Sequence, residues 1–493
     1  MIIIGAGAGG LAAAIRLARA GKRVTLADRF ARPGGKMRQV EVGGQLISNG
    51  PTVCTMRWVV DLLLREGGLD PEAELQMTRA PRLARHGWLD GTRLDLFAEA
   101  EASAAAIAEA FGSREADSFL RFARAAAETH DILKESFMTA PKTGPIGLMG
   151  RIGWHRPQAI LATSPFLSLA ADLRRYFRDP RLIQLFARYA TYVGSSPYLA
   201  PATLKVIAHV EQDGVWLVEG GMPALAAALL KGAEQQGAVF RPQSEVSEIL
   251  VDGGEARGVR FASGETLIGG AVVFNGDPQA IASGLLGTEV SGAVPALPAA
   301  RRSLAAVTLC AVGQTSGFPL DYHTVLFGDD YPDEFNAIFR RREIRDSPTI
   351  YICAEDRRAG NPEGAERLFC LVNAPATGDV AGADLAHPGF AEWVCQQLAR
   401  HGLFVRMDTK TAKVTTPADF HAAFPATGGA LYGAANHGPF DSFRRPGARS
   451  RLKGLYLAGG GCHPGAGVPM AMISGMLAAD AVLQDTEVLA AAR

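Results

Sequence analysis

The chain alternates short, fully apolar runs with stretches of helical periodicity, a pattern typical of parallel strands joined by crossover helices. The first run is Ile2–Ile4, and a glycine-rich segment at 5–10 follows it at once. Residues 11–20 then have the apolar spacing of a helix packed on a sheet, and Gly21 is a typical stop signal. Residues 22–27 predict a second strand, so the chain is expected to open with a strand–turn–helix–strand unit.

The glycines at 5, 7 and 10 have the spacing of a dinucleotide-binding turn. In such a turn Gly5 permits the tight bend, Gly7 lets backbone approach a pyrophosphate, and Gly10 allows close packing of helix on strand. The helix N-terminus adds unpaired N–H groups for the phosphates. Asp28 follows about 20 residues later, where an acidic residue accepts hydrogen bonds from ribose hydroxyls. The alternative for Asp28 is a solvated residue at a strand end.

A second glycine turn lies near the C-terminus. Residues 454–458 read as a strand, residues 459–470 as a turn rich in glycine, and a small-residue helix is expected to begin near Ala471. Such a turn at a helix N-terminus can stabilise negative charge. The residues expected to contact a cofactor there are Gly459, Gly460, Gly467, Val468, Pro469 and Met470. Two such turns from opposite ends of the chain indicate one elongated cofactor.

The rest of the chain predicts further domains. Residues 237–240, 246–251 and 258–261 alternate like a small strand layer, and 270–275 is a buried-type strand. Helices are expected at 100–110, 115–135, 167–178 and 390–401, and strands at 305–312 and 368–374. The predicted organisation is a discontinuous nucleotide domain (1–80, 200–300 and 435–493), a helical substrate or membrane-contact region (80–200), and the sheet of a substrate domain (300–435).

Composition narrows the class of protein. A chain of 493 residues is longer than a single hydrophobic core usually supports, so two or more domains are expected. Its content of 48% apolar and 20% charged residues is typical of a globular protein. With 50 basic and 50 acidic side chains the net charge is zero, which disfavours nucleic acid as a partner. The six cysteines lack metal-ligand spacing, so no metal site is expected. Without a signal peptide or a span of about 20 apolar residues, a cytoplasmic, peripherally membrane-associated protein is expected.

Three segments together resemble the flavoprotein superfamily of amine oxidases and polyene desaturases: R-P-G-G-K at 32–36 with N-G-P-T at 49–52, E-G-G-M-P at 219–223, and the turn at 459–470. The resemblance implies FAD, in an α/β, FAD-binding Rossmann-type fold with a mixed-sheet substrate domain and a helical cap. It implies cofactor contacts from Gly35, Lys36, Gly50, Pro51, Thr52 and Val246. Lys36 is expected to face the phosphates and Val246 the adenine. The alternative for Pro33 to Gly35 is a surface turn.

Within this superfamily the sequence H-P-G-A-G-V-P-M at 463–470 resembles the corresponding turn of carotenoid desaturases of the phytoene desaturase family. Amine oxidases usually carry a Glu and a Thr with a tyrosine-containing glycine segment there, and this chain has neither. Segments 50–59 and 153–157 are most similar to the hydroxycarotenoid 3,4-desaturases. The resemblance implies that two hydrogens leave a C–C bond beside a polyene, one as a hydride to FAD and one as a proton.

The resemblance leaves some roles open. His155, Arg156 and His463 are candidates for the proton acceptor, with a structural role as the alternative for each. Cys462 is a candidate for a covalent link to the flavin, but a buried thiol without such a link is the simpler interpretation. The apolar stretch 158–171, followed by Arg174, Arg175 and Arg178, is a candidate membrane contact, with a core helix as its alternative.

Other functions share these motifs. A phytoene desaturase or a carotenoid isomerase of the same fold would carry the same cofactor turns. Amine or protoporphyrinogen oxidation is disfavoured by the C-terminal turn. A non-redox isoprenoid-binding escort protein is the alternative from a different class, and two intact glycine turns argue against it, because such a protein has no need of a flavin site.

Overall fold

The computed structural model describes residues 1–360, 362–383, 385–386 and 388–491. The strands are β1 (Ile2–Ile4), β2 (Thr25–Ala27), β3 (Gln39–Val42), β4 (Gln45–Ser48), β5 (Met77–Arg79), β6 (Arg82–Gly87), β7 (Arg93–Phe97), β8 (Trp216–Val218), β9 (Val239–Arg241), β10 (Val246–Asp252), β11 (Glu255–Phe261), β12 (Thr266–Ile268), β13 (Val272–Phe274), β14 (Ala305–Gly317), β15 (His323–Leu326), β16 (Ile350–Ala354), β17 (Glu366–Ala374), β18 (Leu403–Met407), β19 (Lys413–Thr415) and β20 (Leu455–Leu457).

The α-helices are α1 (Ala8–Arg19), α2 (Arg57–Glu66), α3 (Pro71–Glu74), α4 (Ala100–Phe111), α5 (Ser113–Leu133), α6 (Pro145–Ile152), α7 (Pro157–Ala162), α8 (Leu169–Leu173), α9 (Pro180–Ala187), α10 (Val206–Asp213), α11 (Gly221–Gln235), α12 (Pro278–Ala282), α13 (Tyr331–Asn336), α14 (Phe390–Arg400), α15 (Pro417–Ala423) and α16 (Val468–Ala491). Two π-helical turns follow α5 and α13, at Lys134–Met138 and Ala337–Arg341. Short 3₁₀ turns lie at Arg188–Val193, Ala202–Lys205, Thr288–Ala293, Ala299–Arg301, Glu355–Ala359 and Asp441–Arg444.

A five-stranded parallel sheet forms the nucleotide domain, in the order β20-β13-β1-β2-β9. Its central strand β1 pairs Ile2 with Val272 on one side and with Thr25 on the other. One face packs on α1, α2, α11 and α16, and the other on the antiparallel sheet β10-β11-β12. Burial on both faces explains why these strands read as continuous apolar runs.

One strand assignment in this region was wrong. Residues 237–240 were expected to belong to the small strand layer, but β9 pairs in parallel with β2 at the edge of the five-stranded sheet. The reason is the preceding helix α11, since a crossover helix returns the chain to the same sheet as a parallel strand. The small layer consists of β10, β11 and β12 alone.

The two ends of the chain meet where α16 lies against α1. Both helices are part of the same core, with Leu11 and Ile15 of α1 beside Met472 and Ile473 of α16. A Cβ atom added to Gly475 would stand 1.9 Å from the carbonyl oxygen of Gly9. The glycine therefore lets the C-terminal helix approach the start of the first helix at backbone distance.

A second sheet has eight strands, in the order β18-β14-β17-β16-β15-β6-β7, with β19 also pairing with β14. β15 pairs in parallel with β6, and the other pairs of this sheet are antiparallel. The expectation that 80–200 is a helical region missed β6 and β7. These strands are short, and β6 finds its partner β15 more than two hundred residues later, a contact that local pattern cannot reveal.

The helical region packs an aromatic core against this sheet. Helices are present where 100–110 and 115–135 predicted them, as α4 and α5. The helix expected at 167–178 is shorter, because Asp179 caps the new helix α9 through the backbone N–H of Arg181, with Pro180 at its first position. Within the described residues, no helix has both the length and the apolar character needed to cross a bilayer.

A buried ion pair ties this region together and gives a stability prediction. Lys205 Nζ lies 2.6 Å from Asp172 Oδ2, and each side chain is only 1% exposed. Lys205→Met is expected to destabilise the protein by about 3 kcal/mol, because it leaves a buried carboxylate with only the exposed Arg175 beside it. The measurement is the melting temperature. The double variant Lys205→Met/Asp172→Leu is expected to recover most of the loss, and equal melting of single and double variants would contradict this account.

Candidate active site

One cavity of about 880 Å³ runs from the N-terminal glycine turn to the face of the eight-stranded sheet. Its volume lies within the usual range of small-molecule sites. The residues predicted to contact a cofactor that line it are Gly5, Gly7, Asp28, Gly35, Lys36, Gly50, Pro51, Thr52, Val246, Gly459, Gly460, Gly467, Val468, Pro469 and Met470. The fold thus brings segments from both ends of the sequence to one elongated site.

Gly10 lies beneath the turn rather than on the cavity. A Cβ atom at this position would stand 2.0 Å from the carbonyl oxygen of Gly5, so the residue allows helix α1 to pack on the turn. Gly7 is the N-cap of α1 and leaves the first N–H groups of the helix without a side-chain cap. Those N–H groups face the cavity end where a pyrophosphate is expected.

Asn275 joins the two glycine turns, and the sequence prediction missed its role. Its Nδ2 donates to the carbonyl oxygen of Gly5 at 3.0 Å. Its Oδ1 lies so close to the other turn that a Cβ on Gly459 would be 2.9 Å away, and one on Gly9 2.6 Å away. The sequence carried one signal, a polar residue at the end of the buried strand β13.

Asp28 is held at the far end of β2 by two backbone donors. Oδ2 accepts from Ala6 N at 2.6 Å and Oδ1 from Phe30 N at 2.8 Å. Burial raises the pKa of this carboxyl, while the two N–H groups oppose that shift. A carboxylate has about four lone-pair sites, so both oxygens keep the capacity to accept ribose hydroxyls.

Basic side chains surround the same half of the cavity. Arg38, which the sequence prediction did not single out, lines it. The central carbon of its guanidinium lies 4.1 Å from the centroid of the Phe30 ring. Lys36 also lines the cavity, and its Nζ donates to the carbonyl oxygen of Leu431 at 2.6 Å. Burial lowers the pKa of Lys36, and Asp277 opposes that shift. The Lys36 ammonium therefore has a partner within the protein, and its contact with phosphate stays a prediction.

Arg445 supports the C-terminal glycine turn from inside the protein. It is 2% exposed, and its guanidinium donates to the carbonyl oxygens of Gly460 at 2.8 Å, Tyr432 at 3.1 Å and Ala434 at 2.7 Å. Burial lowers its pKa to about 10. A lone Arg in a loop sequence gave no hint of this role, because its partners are backbone atoms of two separate segments.

None of the three proton-acceptor candidates is part of the described cavity lining. His155 and Arg156 are exposed between α6 and α7. His463 is buried, with Nε2 bonded to the carbonyl oxygen of Ala140 at 2.9 Å and its ring 4.8 Å from that of Phe137. These positions favour the structural alternative for all three.

Cys462 is likewise a buried thiol. It is 0% exposed and is not part of the described cavity lining, and its Sγ contacts the carbonyl oxygen of Ala458 at 3.7 Å. Burial raises the pKa of the thiol to about 12, so the reactive thiolate is disfavoured. This geometry favours the simple buried thiol over a covalent flavin link.

The second half of the cavity is mostly apolar. Its lining comes from the end of α5 and the π turn behind it, from α10, and from the face of the eight-stranded sheet. The apolar residues are Leu133, Phe137, Met138, Leu204, Val206, Ile207, Val210, Val325, Phe369 and Leu371. Such a lining positions a long hydrocarbon by shape and burial rather than by hydrogen bonds.

Several polar side chains interrupt this apolar wall, and two hydrogen-bonded groups among them lie around Tyr351 and Glu211. In the first, Tyr351 OH lies 2.6 Å from Thr52 Oγ1 and 2.6 Å from His323 Nδ1. In the second, the carboxylate of Glu211 accepts from the hydroxyls of Tyr189 and Tyr192 and lies beside Arg188. Thr52, Tyr351, Tyr192 and Arg188 line the cavity.

These observations fit the FAD that the sequence resemblance implies. Glycines keep the two turns free of Cβ atoms where backbone must approach a ligand, and an uncapped helix N-terminus adjoins them. Asp28 offers acceptor oxygens at the end of the second strand, which is where a dinucleotide-binding fold places the residue that binds the ribose hydroxyls. The residues that would hold FAD are therefore the two turns, Asp28 and the segment 50–52.

The position of Asn275 gives a testable prediction. Asn275→Asp keeps the shape but places a carboxylate against the carbonyl oxygen of Gly5, so the two turns lose their bridge. The dissociation constant of FAD is expected to rise at least about fivefold, since an unmade buried hydrogen bond costs about 1–3 kcal/mol. Flavin fluorescence titration of the apoprotein measures it. Asn336→Asp makes the same chemical change at an exposed position, and an equal effect there would contradict the prediction.

Comparison with known proteins supports this assignment of the cofactor. The family model for flavin containing amine oxidoreductase matches residues 8–483. In structure, the chain is similar to a putrescine oxidase bound to putrescine, with a TM-score of 0.59, 16% sequence identity and coverage of 98% of both chains. That likeness concerns the fold alone.

Two relatives are much more similar in sequence. The chain is 47% identical to the hydroxyneurosporene desaturase of Rubrivivax gelatinosus, over 98% of this chain and 93% of the relative. It is 42% identical to the hydroxyneurosporene desaturase of Cereibacter sphaeroides, over 98% of this chain and 97% of the relative. With a family model that spans nearly its whole length and these full-length relatives, the chain belongs to the flavin containing amine oxidoreductases and, among them, to the FAD-dependent carotenoid desaturases.

Proposed function

We propose that this enzyme removes two hydrogens from the C3–C4 bond of a 1-hydroxycarotenoid such as 1-hydroxyneurosporene. The observation that carries the proposal is that one cavity holds both the nucleotide half and an apolar half. The relatives at 47% and 42% identity bear the name of this substrate. An apolar wall suits a polyene and excludes water from the reacting carbons.

The protein contributes mainly position and environment. FAD, when bound, supplies the two-electron acceptor for the hydride. The apolar side chains of α10 and of the π turn hold the polyene along the cavity, which fixes the distance and angle of the reacting C–H bond. The N-terminus of α16, which begins at Val468, directs unpaired N–H groups at the cofactor half and favours negative charge there.

The test is direct. Purified, FAD-reconstituted protein is incubated anaerobically with liposomes that carry 1-hydroxyneurosporene, and the flavin and polyene spectra are followed together. Flavin bleaching with a red-shifted polyene is the expected result, because each hydride transferred lengthens the conjugated system by one double bond.

Other results would identify the alternatives. Bound flavin with turnover of phytoene instead would indicate a phytoene desaturase. A polyene change without net flavin reduction would indicate an isomerase. A folded protein that binds the polyene but not FAD would indicate an isoprenoid-binding escort protein.

We further propose that the substrate is loaded from a lipid bilayer through the surface around α6 and α7. Large apolar side chains are exposed there, including Ile146 (73%), Trp154 (62%), Leu161 (67%) and Phe166 (71%). Phe166 packs against Phe440, which is 50% exposed, at 6.4 Å between ring centroids. Exposed apolar clusters of this kind mark contact surfaces, and the exposed Arg174 and Arg178 nearby can meet anionic headgroups.

Charge introduced on this surface tests the proposal. Phe166→Asp and Leu161→Asp are each expected to lower the fraction of protein that floats with liposomes, because a carboxylate in the headgroup region opposes insertion. The control is Ile268→Asp, which changes a side chain of similar exposure (69%) on β12. Unchanged flotation of the first two variants, or an equal loss in the control, would remove this surface from consideration.

A further inference from the structure

Thr52 belongs to the segment 50–52 expected to hold FAD, but its hydrogen-bonded partners Tyr351 and His323 have no role in the function described so far. This hydrogen-bonded group stands on an apolar wall, with Val53, Val325, Phe369 and Leu371 also lining the cavity. A polar group in such surroundings is costly unless its hydrogen bonds are satisfied. Within the group, Tyr351 OH is satisfied by Thr52 Oγ1 and His323 Nδ1, each at 2.6 Å.

A count of donors and acceptors shows which atom of this group can still form a hydrogen bond. Burial lowers the pKa of His323 to about 3, so the ring is neutral and its Nδ1 either accepts from or donates to Tyr351. In the first case Tyr351 accepts from Thr52, whose hydroxyl oxygen keeps free lone pairs. In the second, Tyr351 donates to Thr52, whose hydroxyl hydrogen can point to the Cys353 sulfur or to a ligand. His323 Nε2 has no hydrogen-bond partner, but it is buried, so with either tautomer the accessible atom that can bind one more hydroxyl is the oxygen of the partly exposed Thr52.

The position of Thr52 is the second observation. It follows Gly50 and Pro51 at the border between the two halves of the cavity. Asn49, just before them, is fixed to the eight-stranded sheet by Thr308 and Thr415, at 2.7 and 2.8 Å. The segment therefore lies between the cofactor half and the sheet.

The chemistry of the proposed substrate demands a polar group at this border. In a 1-hydroxycarotenoid, a single carbon separates the hydroxyl-bearing C1 from C3, where the new double bond begins. When C3 and C4 face the flavin, the hydroxyl must lie beside them, still near the cofactor. A polar group deeper in the apolar half could not reach it.

The neighbouring cluster is a poorer choice. Both oxygens of Glu211 already accept tyrosine hydroxyls, and Arg188 lies against Tyr192 and the same carboxylate. The one unpaired atom of that cluster, Arg188 Nε, is fully buried. The cluster around Glu211 therefore has no accessible hydrogen-bonding group left for a ligand, whereas Thr52 has one.

We propose that Thr52 and Tyr351 bind the tertiary hydroxyl of the carotenoid, with His323 as the residue that positions Tyr351. The group sets the register of the polyene and selects the hydroxylated end over an unhydroxylated one. This inference rests on the proposed function and adds the determinant of its substrate specificity. A site built to bond a hydroxyl rejects an analogue that lacks it, because its own polar atoms are then left unpaired.

The experiment compares two liposome-borne carotenoids, 1-hydroxyneurosporene and neurosporene, which lacks the hydroxyl. The kcat/KM for the first and the Ki of the second as its competitor are measured for wild type and variants. Tyr351→Phe and Thr52→Val are each expected to lower kcat/KM about tenfold and to leave the Ki of neurosporene within about twofold, since they remove one hydrogen bond and keep the shape. Thr52→Ser, which restores the hydroxyl, is expected to recover the activity.

Tyr456→Phe is the matched control, since its hydroxyl bonds Asp485 at 2.9 Å and the residue is not part of the described cavity lining. It is expected to leave both constants within about twofold of wild type. If wild type does not desaturate 1-hydroxyneurosporene, the proposed function itself fails. If wild type is active but Tyr351→Phe weakens both carotenoids equally, or neither, the hydroxyl site is overturned while the proposed function stands.

Discussion

The structure depends on the close approach of the two ends of the chain. Gly475 in α16 meets the backbone of Gly9 in α1, and Asn275 stands between Gly5 and Gly459. Neither contact tolerates a larger atom, because a Cβ at either helix position would overlap backbone or the Asn275 amide. This one constraint explains three features of the fold. Both chain ends share the cofactor half of the cavity, β1 lies at the centre of its sheet, and both helices are buried.

The sequence allowed this half of the molecule to be predicted because its determinants are local. A glycine at a fixed spacing, an apolar run or an acidic residue at a strand end each carries its meaning within about 30 residues. Strands β1, β13 and β20 and helices α1 and α16 were expected from such patterns and are present. The family resemblance added the cofactor, which the family model and the relatives confirm.

What the sequence did not reveal depends on contacts between distant segments. Asn275 and Arg445 act on backbone atoms of other turns, and neither residue type predicts such a partner. Strand β6 pairs with β15, so its sheet assignment needed the fold. Tyr351 is another such case: Thr52 and His323, its hydrogen-bonding partners, come from separate parts of the chain. Residues of this kind are found by geometry, because their function exists only once the chain has folded.

The polar group at the cavity border also constrains how the substrate lies. If the hydroxyl end is held beside Thr52, the hydrocarbon must extend away from the cofactor, along the apolar residues of α5, α10 and the π turn. Helix α5 packs against α7, which carries the exposed Leu161. Helix α5 therefore borders the cavity, through Leu133, and also contacts a helix that exposes a large apolar side chain. A carotenoid that entered from the surface around α7 with its hydroxyl end first would reach the reacting position without turning, which connects the proposed loading surface to the proposed specificity site.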